Sequence, residues 1–147
     1  MNDQNIVEVL LVEDNARDAE LMIRALKKHN FSNHLIHMKD GAEALDFLFG
    51  RGNYEGRDIK QRPSVVLLDL KLPKVNGLEV LRAIKEDENL RLLPVVIVTS
   101  STEDPDIKTA YQLGANSYVV KPVEFDSFVN AMSQLGFYWL LVNHPMK

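Results

Sequence analysis

A chain of 147 residues, 46% apolar and 26% charged, has the size and composition of one domain with a proper core. No apolar run approaches the roughly 20 residues of a membrane span, Met1-Asn2-Asp3-Gln4-Asn5 does not read as a secretory signal, and the lack of cysteine excludes disulfides and thiolate metal sites. A formal charge of −4 argues against general nucleic-acid binding, and the expected compartment is the cytoplasm.

Strand and helix patterns alternate five times. Val9–Val12 is a short apolar run, as expected of a strand buried on both faces. Asn15 can cap a helix whose inner face holds Ala19, Met22, Ile23 and Leu26, ending near His29-Asn30. His34–Met38 gives a shorter, more polar strand. Ala42, Leu45, Leu48 and Phe49 mark a second helix, stopped by Gly50. Gly50 to Pro63 is glycine-rich and mixed in charge, and reads as a solvated loop long enough to be a contact surface. The third strand, Val65–Leu68, leads through the Leu72–Gly77 turn to a helix capped by Asn76, with Gly77, Val80, Leu81 and Ile84 inward. Pro94 opens a fourth strand. Asp104-Pro105 fits an N-cap followed by proline at the first helical position, with Ile107, Ala110 and Tyr111 as the buried stripe and Gly114 as the stop. Ser117–Val120 is the fifth strand, and a last helix is expected from about Glu124 to Asn143, burying Phe125, Phe128, Val129 and Met132.

The first, third and fourth strands are continuously apolar and belong in the centre of a sheet; the second and fifth belong at its edges. With right-handed crossovers this predicts a doubly wound, flavodoxin-like α/β fold: five parallel strands in the order 2-1-3-4-5, helices on both faces, one domain over residues 1–147. Ligands of such sheets bind beyond the carboxyl ends of the strands. The residues found there are Glu13 and Asp14, Asp69, Thr99 and Lys121.

The first and third strands are neighbours about 4.8 Å apart. Two carboxylates ~5 Å apart repel by about 3 kcal/mol at an effective dielectric of 20. Glu13 adds a third charge, so the cluster calls for a counter-ion. Mg²⁺ suits it, being hard, octahedral and content with carboxylates, water and a phosphate oxygen. Lys121 supplies a fixed positive charge, Thr99 a hydroxyl for a phosphoryl oxygen, and Asp69 a central carboxylate nucleophile that would form an aspartyl phosphate. Singly, each residue has a plainer reading: Asp14 as a cap or turn residue, Thr99 as a strand-end threonine, Lys121 as a surface lysine. Their joint placement at one edge of four strands outweighs those readings.

Val12-Glu13-Asp14-Asn15, Leu68-Asp69-Leu70 with Leu72-Pro73 and Asn76-Gly77, Val98-Thr99-Ser100, and Tyr118-Val119-Val120-Lys121-Pro122 together resemble the receiver domains of two-component response regulators. The resemblance runs from about Val7 to Val142. It implies that Asp69 is the phosphoacceptor and that Glu13, Asp14, Asp69 and the backbone carbonyl of Lys71 hold the metal. It also implies that Thr99 and Tyr118 are a switch pair, that Lys121 contacts the phosphate, and that Lys121-Pro122 is a cis peptide. The Gly50–Pro63 insertion and Leu135-Gly136-Phe137-Tyr138-Trp139 are similar to free-standing receivers that partner phytochrome-type histidine kinases. The implied function is a signalling switch or phosphate relay, not an enzyme. It would lack a DNA-binding output domain and act on a downstream protein target.

Two other readings compete. A Mg²⁺ phosphatase would need a second acid two residues after its nucleophile, where this chain has Lys71. A scaffold that never takes phosphate would have no use for an intact Glu13, Asp14, Asp69, Thr99 and Lys121. Gly50-Arg51-Gly52 with Gly56 lacks the strand–turn–helix context of a dinucleotide loop. His34 and His37 point to opposite faces of their strand and do not form a metal pair. Phe137–Val142 is apolar on every side, and the face holding Tyr138, Leu141 and Val142 predicts a homodimer through the last helix.

Overall fold

In the computed structural model, which describes residues 8–27, 34–100 and 103–134, strands and helices alternate as the apolar pattern requires. The strands are β1 (Glu8–Val12), β2 (His34–Met38), β3 (Val65–Asp69), β4 (Val95–Thr99) and β5 (Ser117–Val120). The helices are α1 (Ala16–Lys27), α2 (Gly41–Phe49), α3 (Gly77–Glu86), α4 (Asp106–Leu113) and α5 (Phe125–Gln134). All strands pair in parallel in the expected order β2-β1-β3-β4-β5. β2 is as long as the central strands rather than shorter; half-buried Leu35, Ile36 and His37 are what mark it as an edge.

Side-chain alternation sorts the sheet into two cores. Val9, Leu11, Val65, Leu67, Val96, Val98 and Val119 face α1 and α5, against Met22, Leu26 and Phe128. Leu10, Val12, Val66, Leu68, Val95 and Ile97 face α2, α3 and α4, against Leu48, Leu81 and Ile84. The same parity carries past the strand ends. Glu13, Asp69 and Lys121 fall on the α1/α5 side, whereas Thr99 and Tyr118 fall on the α4 side.

Helix ends are chemically defined. Asn15 Oδ1 accepts from the Asp18 N–H at 2.9 Å, and Asp40 Oδ1 from the Glu43 N–H at 2.8 Å. Asn76 and Glu79 cap each other reciprocally at the start of α3. Gly50 (φ 67) and Gly114 (φ 111) end α2 and α4 in the left-handed region. The expected end of α1 near His29-Asn30 and the expected continuation of the last helix to Asn143, with Phe137–Val142, lie outside the described residues. So do the side chains of Phe125 and Met132; Phe128 is buried and Val129 only half-buried.

Three expectations need correction. α2 buries Ala44, Leu45, Phe47 and Leu48, while Ala42 and Phe49 are only half-buried, because the helix faces the sheet about one residue further round. α4 begins at Asp106 and buries Ala110 alone; Ile107 is half-buried and Tyr111 is 45% exposed. This helix overlies the edge strand β5 and is flanked by α3 on one side, so little of its surface is covered. The Gly50–Pro63 segment is solvated outside but anchored beneath. The Tyr54 ring stands edge-on to Phe47 (5.3 Å) and its hydroxyl donates to Glu43, while the Arg57 guanidinium lies 3.8 Å over Phe47 and donates to the Phe47 and Gln61 carbonyls.

At the amino end of the sheet, Asn116 ties β4 to the residues after α4. Its Oδ1 accepts from the Val95 N–H (2.9 Å) and from Lys85 Nζ (3.2 Å), and Lys85 donates also to the Leu93 carbonyl at 2.8 Å.

The turn after β3 closes tightly on α3. Gly77 N–H donates to the Leu70 carbonyl at 2.9 Å, and a β-carbon at Gly77 would lie 2.3 Å from the Asp69 carbonyl oxygen and 2.5 Å from Leu70 Cα. Backbone cannot step aside as a flexible side chain can. Gly77→Ala is expected to lower stability by about 1–3 kcal/mol, read from the urea midpoint, because the contact is an overpacking one.

Candidate functional site

The strand register explains why the polar strand-end residues meet. Val12 pairs with Leu68, so Glu13 and Asp69 follow side by side; Thr99 pairs with Val120, so Lys121 follows it, its N–H donating to the Thr99 carbonyl at 2.8 Å. Glu13, Asp14, Asp69, Lys71, Thr99 and Lys121 line one cleft of about 210 Å³ at the carboxyl edge of the sheet. The Lys121-Pro122 peptide is cis.

Lys121 is the hub. Its ammonium lies 2.9 Å from Glu13 Oε1, 3.1 Å from Asp18 Oδ2 and 3.2 Å from Asp69 Oδ2. Burial pulls its pKa down, but the close carboxylates of Glu13 and Asp18 and the charge of Asp69 outweigh this and hold it above the usual lysine value. Asp69 is nearly buried, and its Oδ1 accepts from the Lys71 N–H at 3.2 Å. Glu13 is wholly buried and reaches Asn15 N–H with Oε2 at 3.1 Å. Its Oε1 faces Lys121 as an ion pair, without the angle of a hydrogen bond. Burial raises the Glu13 carboxyl to about 7; Lys121 and the Asn15 N–H oppose the rise and the charge of Asp69 adds to it.

Carboxylate oxygens of Glu13, Asp14 and Asp69 all lie within 4.8 Å of one another. Asp14 is exposed, whereas the other two are buried. Hard oxygen donors at this spacing, one of them a buried oxygen with an unfilled acceptor, fit a divalent cation.

Two cleft residues escaped the sequence reading. Asp18 lies in the first turn of α1 and reaches back to Lys121; its signal was its place three residues after the cap Asn15, at the helix end that meets the carboxyl edge of the sheet. Asp104 was read only as a cap, yet its Oδ2 also accepts from the Thr99 hydroxyl at 3.1 Å. Tyr118 stands apart. It lies on β5 across from Ile97, half-buried, with its ring edge-on to Tyr111 at 6.2 Å, and lines a neighbouring groove instead of the cleft.

Residues 9–133 match the response regulator receiver domain family. The chain belongs to that family. Similar proteins include the probable methanogenesis regulatory protein FilR2 of Methanothrix harundinacea, 43% identical over 90% of this chain and 83% of that one. The solved bacteriophytochrome response regulator AtBRR is 50% identical, with a TM-score of 0.85 over 95% of this chain and 99% of that one. The Mn²⁺-bound response regulator Rcp1 is 35% identical, with a TM-score of 0.74 over 96% of this chain and 99% of that one. This receiver is therefore a component of two-component signalling, which implies a histidine kinase partner, and phosphorylation on aspartate is typical of its family. Among the described residues no helix is long and apolar enough to cross a membrane.

The raised pKa of Glu13 gives a pH dependence with a definite sign. In the unfolded chain Glu13 loses its proton near 4.5, and in the folded receiver near 7. The folded state thus holds the extra proton between these values, and the metal-free receiver loses stability as pH rises through that window, by up to one proton's worth of slope. Urea unfolding with a chelator present, across that range, should show this slope for the wild type and its loss in Glu13→Gln.

Proposed function

We propose that the receiver accepts a phosphoryl group on Asp69 from a phosphohistidine of a phytochrome-type sensor kinase. A carboxylate oxygen of Asp69 attacks phosphorus, the P–N bond breaks, and the imidazole nitrogen keeps the electron pair. The observation carrying this reading is the position of Asp69, a nearly buried carboxylate 3.2 Å from a lysine ammonium and beside two further acids at the strand ends. Glu13, Asp14, Asp69 and the Lys71 carbonyl would hold Mg²⁺, which when bound supplies charge neutralisation for the phosphoryl oxygens. Lys121 leans toward the same oxygens, and the Thr99 hydroxyl turns to the new phosphoryl group. Tyr118, on the same face as Thr99, then follows inward, so the phosphoryl group acts through its different contacts with two states.

Incubation with acetyl phosphate and Mg²⁺ should give a single adduct by intact mass. Asp69→Asn should give none, Asp14→Ala should need far more Mg²⁺, and Thr99→Ala should still be labelled while losing most of the conformational response. Normal labelling of Asp69→Asn sinks the assignment, and multiple turnover of the donor points to a phosphatase instead.

The output of this cytoplasmic switch is a protein contact, either with a downstream target or with a second copy. The all-round apolar Phe137–Val142 sequence supports a homodimer. Light scattering at high micromolar concentration should show a dimer that Tyr138→Asp/Leu141→Asp dissociates; a wild type that stays monomeric with and without a phosphate mimic rules self-association out.

A further inference from the structure

Asp104 has two separate jobs in one carboxylate. Its Oδ2 accepts from the Thr99 hydroxyl at 3.1 Å, while its Oδ1 accepts from the Asp106 N–H at 2.9 Å, in the first turn of α4. Its carbonyl takes the next amide, Ile107, at 3.1 Å. Thr99 is 2% exposed, so its hydroxyl sits against this carboxylate within the sheet edge and not in free water. Asp104 also lines the same cleft as Asp69 and Lys121.

A hydroxyl has one proton to donate. In the proposed reaction a phosphoryl group on Asp69 competes for that proton with the Asp104 carboxylate, and Thr99 cannot serve both. The new anion also faces Asp104 across the cleft. α4 is the helix least able to resist, since Ala110 is its one buried residue. We infer that Asp104 is a positioning residue: it parks the Thr99 hydroxyl in the unphosphorylated receiver and, when that proton is withdrawn, releases the amino end of α4. This rests on the phosphoacceptor reading of Asp69 and adds to it the link between the cleft and one helix.

A plain capping role and a latch differ in what asparagine does at this position. Asparagine is as good a cap as aspartate. It has one side-chain oxygen, which can hold the Asp106 N–H, and its NH₂ then meets Thr99 as a donor, leaving the threonine proton free. The test is amide hydrogen exchange at Asp106 and Ile107, with and without beryllofluoride and Mg²⁺, in the wild type, Asp104→Asn and Thr99→Val. The wild-type amides should exchange about tenfold faster when beryllofluoride is bound, the Asp106 N–H having lost the carboxylate and the Ile107 N–H the Asp104 carbonyl. Asp104→Asn should keep its protection in both states and bind beryllofluoride about tenfold more tightly. Thr99→Val, which has no proton to give, should show the faster exchange without any ligand. A wild type that binds beryllofluoride with unchanged exchange at these amides overturns the latch. So does an Asp104→Asn variant that responds as the wild type does. A wild type that neither binds beryllofluoride nor takes phosphate from acetyl phosphate overturns the phosphoacceptor reading and the latch together.

Discussion

The ammonium of Lys121 is the constraint on which the carboxyl edge of the sheet depends. It is about one-fifth exposed and stands among Glu13, Asp18 and Asp69, none further than 3.2 Å. Desolvating a charge is costly, and three carboxylates brought together without a cation would repel one another. The lysine settles both problems at once, but incompletely: one positive charge cannot match three negative ones. Glu13, desolvated by its burial and facing the charge of Asp69, takes up part of the remainder by holding its proton to about pH 7. A site built this way is poised for an added cation, because binding one would replace a retained proton. The same surplus of negative charge makes an anionic donor unwelcome until the cation arrives, which gives the order of events a physical basis.

Much of this was legible beforehand, for specific reasons. Val65–Leu68 and Val95–Val98 are apolar at every position, which places them in the sheet's centre, and central position fixes which strand ends are neighbours. Asn76, Gly50 and Gly114 are local signals that act within one turn, and they act as expected. What could not be read was anything depending on how helices lie over the sheet. Ile107 and Tyr111 have the spacing of a buried stripe, but only the packed structure shows that α4 covers an edge strand. Arg57 looks like any loop arginine until Phe47 is found beneath it. Asp18 and Asp104 were hidden for a related reason: one sits in the first turn of α1 and the other just before α4, places where an acid is ordinary, and the reach of each into the cleft depends on the angle at which the helix leaves the sheet.

The parity of the strands divides the site's labour. Glu13, Asp69 and Lys121 share the α1/α5 side, so the charged cluster is backed by Met22, Leu26 and Phe128. Thr99 and Tyr118 share the other side, over α4. A group added to Asp69 would therefore meet Thr99 in their shared cleft, and Thr99 belongs to the side that faces α4. The response can be local to α4 and β5 while the larger core under α2 and α3 keeps its packing.

The link between Asn116 and Lys85 gives α4 two unlike ends. Beyond Gly114 the chain is fastened to β4 by the paired Val95–Asn116 backbone and side-chain bonds, and to α3 through Lys85. Among the described residues none that lines the cleft takes part in this fastening, which lies at the opposite edge of the sheet. On the Asp104 proposal, a helix anchored at its carboxyl end and released at its amino end would swing as a lever about the glycine, not slide as a rod. Displacement would then grow along the helix toward Asp106, and Tyr111, near the fulcrum, would shift less than the first turn. A partner that reads the amino-terminal turn would sense the switch strongly, while one resting on the Tyr111–Tyr118 pair would feel mainly a rotation of ring faces.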